Sequence, residues 1–148
     1  MISKNFSRKD FDYWTKIKSH WRDMDSLRHI NHAAYLTYME TSRLELYTRL
    51  GHNMDQWYES DSSILASMEV NYISQAVHPA EFDIGNRLIR IGTKSYDFLT
   101  AIFKNNDKKP LVLAKFVLVS IDYKTGKTIP VPNHFRKFLN PLRKDENL

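Results

Sequence analysis

The sequence contains no cysteine, only four glycines and five prolines, and no long uninterrupted apolar run. Without cysteine there can be no disulfide framework, no thiolate metal site and no thiol nucleophile. So little glycine and proline argues against long flexible linkers. The longest apolar stretch, Leu111 to Ile121, is interrupted by Lys115 and is far shorter than the ~20 residues a spanning helix needs. The first ten residues are polar and charged and lack the apolar centre of a secretory signal. A soluble, cytoplasmic protein with no membrane span is therefore expected. Also missing are a Gly-x-Ser-x-Gly elbow, a P-loop and a Gly-x-Gly-x-x-Gly fingerprint. No nucleic-acid-binding motif stands out either, so the net charge of +5 suits a solvated basic surface or a phosphate-bearing ligand.

The 148 residues suffice for one domain with one core, and no repeat or composition shift marks a second. Tyr13 to Trp21 alternates, with Tyr13, Thr15, Ile17 and Trp21 on one face and Lys16, Lys18 and His20 on the other, as a half-buried strand does. Asp23 to Asn31 has the composition of a turn. From His32 to Leu50 the period becomes helical, with Tyr35, Met39, Leu46 and Leu50 in one stripe widened by Leu36 and Tyr47. Asn31 is placed to cap this helix and Gly51 to end it, and Glu45 and Arg49 form a favourable i,i+4 pair. Met54 to Tyr58 suggests a short helical turn. Strands are then expected around Ala66–Tyr72, over Phe82–Ile91 with a disturbance at Gly85-Asn86, and over Tyr96–Lys104. A central strand buried on both faces is expected over Leu111–Tyr123. One long helix against a mostly antiparallel sheet is an α+β layout.

The densest polar cluster is His20, Asp23, Asp25, His29, Asn31 and His32, just ahead of and at the helix entry. A helix N-terminus offers unpaired N–H groups and partial positive charge that can polarise a carbonyl. A carboxylate beside it can act as base or nucleophile. The same residue types also suit plain capping, in which Asp23 and Asp25 only shape the turn. His29, His32 and the two aspartates offer a third reading as mixed nitrogen and oxygen metal ligands, although no helical His-Glu-x-x-His motif is present. Tyr35, Tyr38, Met39, Met68 and Tyr72 are expected in the core, with the wall of a ligand pocket as the alternative.

The segment Trp21-Arg22-Asp23-Met24-Asp25-Ser26-Leu27-Arg28-His29-Ile30-Asn31-His32-Ala33-Ala34-Tyr35-Leu36 resembles the signature of the 4-hydroxybenzoyl-CoA thioesterase family of hotdog proteins. It is also similar to the matching stretch of plant acyl-ACP thioesterases. Glu40 and Arg43 fit the family's Glu-x-x-Arg helix. Met68-Glu69-Val70-Asn71-Tyr72, Ile91 to Ser95 and Asp122 to Pro132 resemble later strands and turns, so the likeness runs from about Tyr13 to Arg136. It implies a single hotdog domain over residues 1–148, with about five curved antiparallel strands around one long helix. It also implies a homodimer or homotetramer with sites at the dimer interface. The implied substrate is an acyl-CoA or acyl carrier protein thioester, with coenzyme A as part of the substrate and no cofactor or metal. By position, Asp25 matches the catalytic carboxylate and His32 the backbone N–H that polarises the thioester carbonyl. His29 matches the histidine of the plant site, and Asn31 completes the catalytic group. Two departures stand out: Leu27 replaces the plant asparagine, and Arg28 stands where relatives often carry glycine. A thioester-binding protein without hydrolysis remains the alternative, and a hotdog dehydratase a more distant one.

Overall fold

A computed structural model describes residues 2, 5–52, 55, 61–133 and 136. The expected turn over Met54–Tyr58 falls, apart from Asp55, outside the described residues. The order of elements is β1 (Tyr13–Lys18), α1 (His32–Arg49), β2 (Asp61–Tyr72), β3 (Glu81–Ile91), β4 (Ser95–Lys104) and β5 (Val112–Asp122). The strands form one antiparallel sheet in the order β1-β3-β4-β5-β2. Among the described residues one long helix, α1, lies against it, which is the α+β layout expected.

The helix forms where its period and caps place it. Asn31 is extended, and its Oδ1 accepts the Ala33 N–H at 2.9 Å. At the other end Gly51 takes φ 88°, a conformation that costs glycine little. The His52 N–H then reaches the Tyr47 carbonyl at 3.0 Å and the Gly51 N–H the Thr48 carbonyl at 3.1 Å, a Schellman closure. Tyr35, Tyr38, Met39, Leu46 and Tyr47 bury themselves against Phe82, Ile84, Phe98, Ile102 and Phe116 on the inner face of the sheet. Truncating a fully buried residue such as Met39 to alanine would cost about 2–5 kcal/mol. Arg43 joins this buried face by stacking on the Phe116 ring, 5.0 Å from its centroid.

The outer face of the sheet carries a second apolar cluster, Phe11, Leu99, Ala101, Phe103 and Leu113, with Ile2, Phe6 and Trp14 packed on it. The segment ahead of β1 therefore lies across the back of the sheet. Gly85 belongs to this packing. A Cβ there would sit 2.7 Å from Phe11 Cγ, so the glycine admits a close neighbour and does not disturb the strand. The irregularity in β3 falls instead between Leu88 and Arg90.

Three further expectations are corrected. β1 stops at Lys18, and Trp21 lies in a 3-10 turn (Trp21–Asp23) with 78% of its surface exposed. The Asp23 carboxylate takes the His20 N–H at 2.7 Å, which draws the backbone into that turn. β5 is an interior strand, but the middle position belongs to β4, and Lys115, Val117 and Val119 are only partly covered. Met68 and Tyr72 are not core residues. They are exposed on β2, an edge strand, together with Ile64 and Leu65.

Candidate active site at the helix entry

Met24 and Ile30 pair across a tight turn that carries Asp25 to His29. The Asp25 N–H donates to the His29 carbonyl and the Arg28 N–H to the Asp25 carbonyl, both at 3.0 Å. Closing the turn in this register puts Arg28 at φ 61°, a left-handed conformation that favours glycine. The loop that follows β2 walls the turn: the Ile30 N–H donates to the Ala76 carbonyl at 2.9 Å, and Trp21 meets the His78 ring edge-on at 6.0 Å.

Both oxygens of Asp25 are engaged. Oδ1 accepts the Leu27 N–H at 2.9 Å and Oδ2 accepts Asn31 Nδ2 at 3.3 Å. Because Asn31 Oδ1 caps the helix through Ala33, one side chain joins the Asp25 carboxylate to the helix N-terminus. His32 is the first helical residue, and its N–H makes no hydrogen bond to another described residue. Asp25, Asn31 and His32 are thus brought together as expected. His29 contributes its carbonyl to the turn, and its partly exposed ring makes no hydrogen bond to a described residue. Among the described residues no three His, Asp or Glu side chains gather as metal ligands, so His29 and His32 are not grouped there with the two aspartates.

Asp23 faces the other way. Its Oδ2 accepts the Tyr38 hydroxyl, the His20 N–H and a contact from His20 Nδ1 at 3.4 Å. Burial works against its ionisation, but the hydrogen bonds from Tyr38 and His20 and the His20 charge outweigh it and hold the carboxyl below its ordinary value. Tyr38 is shifted up, first by burial and then by the Asp23 carboxylate. Two residues near the site were singled out in the sequence only as core, or as the wall of a pocket, and not for their hydroxyls. Tyr38 reads as a core residue of the helix, outside the stripe of Tyr35, Met39, Leu46 and Leu50. Tyr72 reads as a strand residue, yet its hydroxyl donates to the His32 carbonyl at 3.2 Å and its ring meets the His32 ring edge-on. The one available signal was that both are tyrosines where phenylalanine would pack as well.

The profile of the thioesterase-like superfamily matches residues 19–139, which contain the whole of this site. The chain belongs to that superfamily. Thioester hydrolysis is the chemistry from which the superfamily takes its name. A chloroplastic acyl-acyl carrier protein thioesterase of Arabidopsis thaliana is 25% identical over 126 residues, 84% of this chain and 66% of that protein. The chain therefore spans just under two thirds of that relative. A Pseudomonas aeruginosa protein superimposes with a TM-score of 0.86 at 20% identity, covering 95% of this chain and 98% of its own. A Thermus thermophilus thioesterase, solved with coenzyme A and zinc, superimposes with a TM-score of 0.78 at 24% identity, covering 89% of this chain and 94% of its own. These likenesses establish the superfamily's hotdog architecture for the chain. No helix among the described residues is long and apolar enough to cross a membrane.

Proposed function

We propose that the protein hydrolyses the thioester of an acyl group carried by coenzyme A or acyl carrier protein, releasing the free acid and the thiol carrier. The observation that carries the reading is the Asn31 side chain, which ties a carboxylate to the open end of a helix. The His32 N–H and the helix dipole would hold the oxygen that becomes negative as the carbonyl is attacked. Asp25 would act in one of two ways. As a nucleophile it forms a mixed anhydride, expels the thiolate and is freed by water. As a general base it takes a proton from the attacking water. Asn31 orients Asp25, and the ring of His29 stands beside the turn. The reading needs no cofactor, because coenzyme A enters as substrate.

The exposed apolar row Ile64, Leu65, Met68 and Tyr72 on an edge strand supports a second copy joined along β2, in a homodimer or homotetramer. The reading also carries the cytoplasmic location expected from the sequence. Its test is hydrolysis of acetyl-, octanoyl-, palmitoyl- and benzoyl-CoA by the protein and by Asp25→Asn. The amide keeps the size of the side chain and removes its charge. A fall in kcat of about 100–10,000-fold with an unchanged melting temperature is expected. Near-normal turnover of a folded Asp25→Asn variant would refute the reading and favour thioester binding without hydrolysis.

A further inference from the structure

From the hydrogen bonds that run out of the core to the site, we infer that Tyr38 is a positioning residue for Asp25, acting through Asp23 and Asn31. The inference rests on the functional reading above and assigns a role to a residue that touches neither substrate nor Asp25.

The ring of Tyr38 is 4% exposed and fixed on two sides, by Phe82 at 5.6 Å and by Tyr35 edge-on at 6.2 Å. Its hydroxyl therefore has one place to be, and that place is on the Asp23 carboxylate. Asp23 in turn holds Asn31 by its backbone, since the Asn31 N–H donates to the Asp23 carbonyl at 2.8 Å. Asn31 then reaches Asp25 with its amide. The Asn31–Asp25 bond, at 3.3 Å, is longer than the Leu27 bond at 2.9 Å, so a small movement of Asn31 suffices to break it. The same movement would uncap the helix, because the other end of that amide is the Ala33 acceptor. Carboxylate and oxyanion site thus share one anchor, and Tyr38 fixes it to the core. The protonation states support the arrangement. Burial and the neighbouring carboxylate keep Tyr38 a hydroxyl, while hydrogen bonds keep Asp23 an acceptor against the cost of its burial.

A purely structural hydrogen bond would affect stability alone, or would slow the enzyme whether or not Asp25 is present. The test is therefore a double-mutant cycle on the best acyl-CoA of the four, with a thermal melt for each variant. Tyr38→Phe keeps the ring and removes the hydroxyl. It should lower kcat by about 10- to 100-fold, the scale on which a misplaced reacting group is felt, and leave KM within about twofold. Added to Asp25→Asn, it should cause a clearly smaller loss than in the wild type, because only the oxyanion end of the shared anchor is left to position. Unchanged kcat in Tyr38→Phe, or losses that multiply in full with Asp25→Asn, would overturn the inference and leave the thioesterase reading standing. Near-normal turnover in Asp25→Asn alone would overturn both, and is recognised in that single variant. Should Tyr38→Phe fail to fold, Asp23 gives the same answer. Asp23→Ala should lose turnover and Asp23→Asn, which keeps an acceptor oxygen, should recover it. Equal turnover in the two Asp23 variants would count against the relay.

Discussion

Replacing Arg28 by glycine should stabilise the protein, although the change deletes a long side chain beside the site. Arg28 is held at φ 61° because the turn from Asp25 to His29 closes only in that conformation. A side chain with a Cβ gives up about 1–2 kcal/mol in the left-handed region. Glycine removes that strain but brings about 0.5–1 kcal/mol of extra chain entropy to lose on folding. The balance is a gain of about 0.5–1 kcal/mol. For a domain of this length 1 kcal/mol moves the melting temperature by about 2–4 °C. The expected rise is thus about 1–4 °C. Little opposes it, because the Arg28 side chain is exposed. The assay is a calorimetric melt of wild type, Arg28→Gly and Arg28→Ala. Alanine removes the charge and keeps the Cβ, so it should melt near wild type. A melting temperature for Arg28→Gly at or below that of Arg28→Ala would refute the reasoning. It would mean that the guanidinium, and not the backbone, matters at this turn.

Three other outcomes follow from the structure. Asp97 is 3% exposed on the outer face, with Arg90 at 2.6 Å and Lys115 at 3.3 Å, and these partners outweigh its burial and hold its carboxyl below the ordinary value. Asp23 and Asp83 are lowered in the same sense. A group depressed in the folded state contributes stability above its unfolded value and loses it as pH falls through the folded value. Urea melts should therefore show stability falling once pH drops below the ordinary carboxylate value of 3.8, and Asp97→Asn should flatten that fall. Light scattering should find a dimer or larger assembly, and Met68→Glu on the exposed β2 edge should shift it toward monomer; a stable wild-type monomer would count against the shared edge. The KM for acyl-CoA should rise with added salt while kcat changes less, because screening weakens attraction between a chain of net charge +5 and the carrier's phosphates; a salt-independent KM would exclude the basic surface from recognition.

Much of this architecture was legible because the period and the caps agree. The helix declares itself by its stripe, its Asn31 cap and its Gly51 stop, and the site is anchored to the Asn31 cap. What could not be read depends on contacts between distant parts of the chain. Trp21 continues the alternation of β1, but the strand ends before it, where the Asp23 carboxylate takes the His20 N–H. Gly85 looks like a defect until Phe11 is seen against it. Met68 and Tyr72 have the pattern of core residues, and pattern alone does not say that β2 is an edge strand. Tyr38 is hidden for a related reason: its ring is read as core, and the hydroxyl that links it to Asp23 leaves no mark on the pattern.

The pairing of the sheet also dictates an order of assembly. β1 meets β3, so Tyr13 must wait for Asn86, and β2 meets β5, so Tyr72 must wait for Val112. During synthesis the first strand leaves the ribosome with no partner, and α1 follows with local contacts of its own. Phe11 and Phe6 can settle only after β4 and β5, whose Leu99, Phe103 and Leu113 they cover, have been made. The segment ahead of β1 is made before the strands it covers and settles only after them. Pairings of such separation in the chain fold slowly, and until they form the unpaired edges are open to neighbouring chains.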